Sequence, residues 1–277
     1  MPKGALLAVP ATVVYGTLFV APLAFFLVVS FWHASLFEII PGFSLDNYVK
    51  TVTTYPRSIV FTLTIGLSIA ALTTLIAFGF AYVIRFKAGR YGPVLLFMAL
   101  VTLFGGYLVK IYAWKTILGI DGILNSALLG LGLISEPIDL LLYSSFAVVI
   151  TLTHYLLPLA ILPIYGALRG IDDLEVASAR DLGASSSRVM CDIILPQAYF
   201  GIIAAFAFAY LISAGDYVTP RLVGGTETRM IGNFIESQFG MRMNTPLGAA
   251  MSFTTLVLSA LVIVAVGTIF RLFLRRR

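Results

Sequence analysis

The residues of this chain that could do chemistry fall into two groups. The first is a polar run over 168–196, in which Glu175, Arg180, Asp181 and Arg188 surround the small residues Ala177, Ser178, Ala179 and Ala184. Asp172 or Asp173 can cap a helix that starts near Leu174. Gly183 suits the left-handed residue just past that helix, and the serines at 185–187 can cap a second one leading to Pro196. Two short helices meeting at a glycine make a knob whose small side chains let another surface approach the backbone. An ordinary helical connector is the competing reading; the chemistry such a knob can offer is docking by charge and shape, with Arg180, Asp181 and Arg188 as contacts. The second group is Asp216 beside Tyr217, where a carboxylate next to an aromatic ring suits a cationic amine. Tyr107, Trp114 and Tyr210 are further rings that could line the same path. An interfacial aromatic belt or helix packing competes for the rings, and a helix-capping role competes for Asp216. Glu236 and Asp121 read as solvated loop acids.

Nothing in the sequence points to bond-making. No G-x-x-x-x-G-K-[ST], H-E-x-x-H or G-x-S-x-G run appears, and no carboxylates pair within an apolar stretch. Any ATP used must be bound on another chain. Cys191 is the only cysteine, which excludes an intrachain disulfide and a cysteine-based metal site. No catalytic residue and no metal ligand is expected.

The elements that position these groups are membrane helices. Six stretches carry no charge: 4–32, 58–84, 91–109, 140–168, 193–215 and 243–270. A spanning helix needs roughly 20 apolar residues, so all six are long enough or nearly so. Hydrophobic residues make up 60% of the chain and charged residues 11%, against about 25% charged in a soluble domain. The expectation is an all-α, multi-pass membrane protein, a single domain over 1–277, with spans near 10–32, 59–84, 93–114, 143–166, 198–214 and 248–270. The interiors are expected to hold no Asp, Glu, Lys or Arg, with His154 their one titratable ring besides tyrosines. The first run is too long for the 7–15-residue core of a signal peptide and reads as an uncleaved span.

The loops follow from this. Residues 33–57 form a first external loop with a turn at Pro41-Gly42. Residues 115–139, with apolar residues between Gly119, Gly122, Gly130 and Gly132, suggest a short interfacial helix. Pro158 and Pro163 suggest a kink in span four. The net charge of +5 reflects membrane flanks and not nucleic-acid binding. With an N-in start, eleven of the 18 basic residues fall inside, among them Lys3, Arg85, Lys87, Arg90 and the tail from Arg271 to Arg277. This bias places both termini in the cytoplasm.

The 168–196 run resembles the cytoplasmic "EAA" loop of permease subunits in binding-protein-dependent ABC importers. That loop is E-A-A, three residues, Gly, nine residues, then I-x-L-P. Here Gly183 is followed by nine residues and Ile193-Ile194-Leu195-Pro196, and Arg180-Asp181-Leu182-Gly183-Ala184 fits the continuation. Ala177, Ser178 and Ala179 hold the E-A-A places, so the acidic position is alanine and Glu175 lies two residues earlier. Gly215-Asp216-Tyr217-Val218-Thr219-Pro220, Met230-Ile231-Gly232-Asn233 and Pro246-Leu247-Gly248-Ala249-Ala250 are similar to the polyamine (spermidine/putrescine) permease subfamily, more to its first permease than to its second. So are Tyr112-Ala113-Trp114 and Gly122-Ile123-Leu124-Asn125.

The resemblance implies a type I importer permease fold in the bacterial inner membrane. It also implies a second permease, two cytoplasmic ATPase subunits that dock on the knob and bind ATP and Mg, and a periplasmic binding protein. This chain would carry no cofactor of its own and would contact membrane lipid. The rival class is an ion-coupled secondary transporter or channel, which commonly places acids or bases at mid-membrane; here such a relay would rest on His154 alone.

Overall fold

A bilayer offers backbone groups no partner but each other, and the chain is helical almost throughout. The computed structural model describes residues 3–35 and 38–275, with side chains from residue 9 onward. Arg276, Arg277 and the Lys3 side chain, used in the charge count, lie outside the described residues. The first span runs through α1 (Lys3–Tyr15), a π-turn at Gly16–Val20 and α2 (Ala21–Val29). A short antiparallel pair follows, β1 (His33–Ala34) against β2 (Ile39–Ile40). Next comes α3 (Asp46–Thr54), a helix inside what reads in the sequence as a loop. It is held by Asn47, whose side-chain amide donates to the carbonyls of Ser30 and Trp32 at 3.0 and 2.8 Å.

The second span, α4 (Pro56–Phe86), opens with proline in its first turn, where the missing N–H costs nothing. Its 31 residues reach about 46 Å, beyond a hydrocarbon core of about 30 Å. The third expected span, 93–114, is not one rod. α5 (Gly92–Val101) and a 3₁₀ turn at Thr102–Phe104 stop at Gly105 and Gly106, whose ψ angles of 115° and 144° are extended. α6 (Tyr107–Leu118) and α7 (Ile123–Gly130) then leave at 96° to the first half. Each glycine disfavours a helix interior by about 1 kcal/mol relative to alanine, so two in succession mark the break. α7 matches the short helix expected at 115–139.

α8 (Ser145–Arg169) is capped by Ser144, whose hydroxyl accepts the Ala147 N–H at 3.1 Å. It continues as helix through Pro158 and Pro163. After α9 (Asp173–Asp181), the helix α10 (Ser186–Val189) runs through a π-turn at Met190–Ile194 into α11 (Leu195–Gly215). The fifth span is therefore one 30-residue helix over Ser186–Gly215; Pro196 lies inside it and does not begin it. α12 (Val218–Val223), α13 (Ile231–Phe239) and α14 (Thr245–Arg275) complete the chain. Among the described residues, five helices are long and apolar enough to cross a membrane, and there are six crossings if the bent pair counts as one.

The core lies among α4, α8 and α11. Ile69, Ala70, Leu152, Leu156, Phe206 and Tyr210 fill one half, and Ala77, Ala81, Ala160, Ile164, Ala198 and Ala205 the other. The alanines let backbones approach closely, which is what drives association where lipid removes the hydrophobic effect. These three spans bury 44%, 56% and 50% of their most apolar window, but the first span buries 6% and α14 11%. Two spans thus keep most of their apolar surface for something outside this chain.

Candidate functional site

The knob is built from local rules. Asp172 caps α9, its carboxylate accepting the Leu174 N–H at 2.9 Å. Ser185 caps α10 by accepting from the Arg188 N–H at 3.3 Å. Between them α9 ends in paired reversed bonds: Gly183 N–H donates to Arg180 O at 2.9 Å and Ala184 N–H to Ala179 O at 3.0 Å. This closure requires a left-handed residue, and Gly183 has φ +84°.

The knob is fixed to the bundle at several points. Arg85, at the end of α4, donates to the carbonyl of Ile171 at 3.0 Å and to the carboxylate of Asp173 at 2.8 Å. Gln197 on α11 donates to Glu175 at 2.8 Å. Ile171, Val176 and Val189 are buried against the core, with Ala179 and Ala184 packed on them. Glu175 therefore spends part of its charge inside the chain. Ala177, Ser178, Arg180, Asp181 and Gly183 face out. So do two residues that sequence reasoning passed over, Leu174 at 71% and Leu182 at 90% exposure. Leu174 is two residues from buried Val176, about 200° round the helix, and Leu182 caps the helix end, so neither is in phase with it. That phase mismatch was the available signal.

At the other end of the bundle, Tyr107 and Asp216 come together across 109 residues of sequence. The tyrosine hydroxyl donates to the carboxylate at 2.7 Å and lies 2.7 Å from the Thr219 hydroxyl. Asp216 also accepts the backbone N–H groups of Val218 at 3.0 Å and Thr219 at 3.3 Å. It is 9% exposed. Both its oxygens are occupied by its own chain, so it caps α12 and ties α6 to α11, and it is not a carboxylate open to a solute. Tyr210 is fully buried and donates to the Leu63 carbonyl at 3.3 Å; within this chain it packs helices. Trp114 packs edge-on against His154 at 5.9 Å. Of the five path candidates, Tyr217 stands open, at 41% exposure.

One charge lies where none was expected. Lys110, on α6, is 7% exposed, and its ammonium sits over the Tyr155 ring at 5.4 Å. It has no hydrogen-bond partner among the described residues. The apolar run ends at Val109, so the span drawn to 114 took Lys110 in.

The chain is thus a helical membrane bundle with a capped, outward-facing knob just before the helix Ser186–Gly215. The solved structures agree on the fold. A bacterial ABC transporter that imports the acidic polysaccharide alginate matches 96% of this chain and 94% of its own, with a TM-score of 0.70 at 16% identity. An amino acid ABC transporter solved with histidines matches at a TM-score of 0.51, 15% identity, over 85% and 100%. Over residues 86–277 the chain matches the binding-protein-dependent transport system inner membrane component. It belongs to that family, as a multi-pass subunit of the inner membrane. It is 34% identical over 224 residues to the spermidine/putrescine transport system permease protein PotB of Haemophilus influenzae, covering 79% of this chain and 77% of the relative. PotB of Escherichia coli is 32% identical over 80% of each. The Escherichia coli inner membrane ABC transporter permease protein YdcU is 30% identical over 72% of this chain and 67% of its own.

Proposed function

We propose that this chain is one of two permease subunits of an ATP-driven importer whose solute is a polyamine or a related small amino compound. The observation that carries the mechanical part is the knob: two exposed leucines flank small residues on a turn bolted to the bundle by Arg85 and Gln197. An ATPase subunit docks there on the cytoplasmic side, and its ATP-driven closure moves the knob. ATP and Mg stay on the ATPase, and this chain holds neither. A periplasmic binding protein delivers the solute at the opposite end. The two-state element is the bundle, and nucleotide biases it through the knob. The likeness to spermidine/putrescine permeases supports the solute class.

Native mass spectrometry of the assembly purified with this chain tests the reading. Two ATPase copies, a second permease and a binding protein carrying putrescine or spermidine are expected. A chain that purifies alone and moves solute without ATP overturns it, in favour of the ion-coupled class.

A further inference from the structure

A groove of about 630 Å³ opens between the end of α11, α13 and the first half of α14. Leu211, Phe239 and Leu256 form its apolar walls, and Tyr217 and Glu236 add a ring and a carboxylate. α14 turns Ser252, Thr255 and Ser259 into it, at the i, i+3, i+7 spacing of one helix face. Two of these hydroxyls spend their protons on their own helix: Ser252 donates to Gly248 O at 2.9 Å and Thr255 to Met251 O at 2.8 Å. What they have left is lone pairs. The polar surface of the groove is thus rich in acceptors along an apolar slot.

Glu236 is positioned for this. Asn233, one turn earlier on α13, donates to the Tyr217 carbonyl at 2.7 Å. Gly232 allows the approach, since a Cβ there would come within 2.9 Å of the Asp216 carbonyl oxygen. The Glu236 side chain is 35% exposed, and its ion-pair partner among the described residues is Arg221, at 3.6 Å. That separation exceeds a hydrogen bond, so the carboxylate keeps its acceptor capacity. Glu236 reads in the sequence as a solvated loop acid. The fold reverses the roles: Asp216 is consumed by the scaffold and Glu236 faces a cavity.

We infer that this groove is an amine subsite on the solute path, in which Glu236 takes an ammonium group, Tyr217 offers its ring face and the apolar walls hold the intervening methylenes. A carboxylate with an aromatic neighbour attracts an alkylammonium by Coulomb and cation–π contact. The inference rests on the amine reading of the solute given above.

The test is uptake of labelled putrescine and spermidine by the assembled transporter in proteoliposomes, with ATP hydrolysis stimulated by loaded binding protein measured alongside. Glu236→Gln is expected to slow uptake by at least about tenfold, the factor one 1.4 kcal/mol contact carries, while stimulated hydrolysis stays within about twofold. Glu236→Asp recovers part of the rate. Arg221→Gln leaves uptake near wild type, which separates an amine contact from an ion-pair role. Tyr217→Leu gives an independent, smaller slowing should Glu236→Gln fail to assemble. Unchanged uptake in both Glu236→Gln and Tyr217→Leu overturns the subsite, as does an Arg221→Gln variant that copies Glu236→Gln. Wild-type transporter that imports neither amine overturns the solute reading itself, and the groove's occupant with it.

Discussion

Three residues show how single positions hold the knob and the bundle together. Gly183 sits at φ +84°, where a side chain with a Cβ costs about 1–2 kcal/mol. Gly183→Leu is expected to distort the knob, so that proteoliposomes hydrolyse ATP but take up little solute; the ratio of uptake to hydrolysis is the measurement. Arg85 contributes little as an ion pair, because Asp173 is largely exposed and such pairs yield under about 1 kcal/mol. Its second bond, to the Ile171 carbonyl, is the one that fixes the knob's root. Arg85→Ala should therefore lower uptake per ATP more than Asp173→Asn does in the same assay. Tyr107→Phe removes one hydroxyl that touches both Asp216 and Thr219. A loss of about 1–2 kcal/mol is expected, read as earlier thermal unfolding of the detergent-solubilised protein. The caps at Asp172 and Ser185 and the turn at Gly183 were legible in the sequence because capping is a matter of neighbours. The Tyr107–Asp216 tie was not, since its partners lie in different helices and only the fold pairs them.

Among the elements, length misled where composition did not. The run from Tyr91 to Val109 has enough apolar residues for a span, yet the chain turns by 96° within it. Gly105-Gly106 announced that turn, and a reading by length alone passes over it. The break lets α6 pack on α8 and carry Tyr107 to Asp216. Replacing both glycines by alanine favours a continuous helix by about 2 kcal/mol and would pull Tyr107 from its partner. The double variant is expected to unfold at a lower temperature than Tyr107→Phe, which loses one hydroxyl and keeps the bend. The fifth span was misjudged in the other direction. Pro196 looked like its start, but the helix is already running there: the π-turn at Met190–Ile194 leads into the proline and the chain stays helical through it.

Across the whole molecule, the two ends of the bundle are distinct. Arg85–Asp173 joins the end of α4 to the knob, and Arg57–Glu227 joins the start of α4 to the segment after α12. The turn near Gly89 and the knob therefore share one end, while Glu227 lies at the other. In a Cys191→Ser background, cysteines placed at Gly89 and Asp181 are expected to react with an impermeant maleimide in inverted vesicles. A cysteine at Glu227 should react in intact cells. The first span and α14 bury little of their apolar windows within the chain; under the proposed function these are the faces that take a second permease and lipid.

The unbroken helix from Ser186 to Gly215 joins these two ends, with the knob at its start and Asp216 next after its end. Coupling free energy has no direction: whatever one site does to the affinity of another is returned by the same factor. If nucleotide on the ATPase alters how tightly the far end holds its cargo, then cargo arriving there alters nucleotide affinity equally. Under the proposed function, the helix joining knob and far end is thus also the means by which an idle ATPase senses that a loaded carrier has docked.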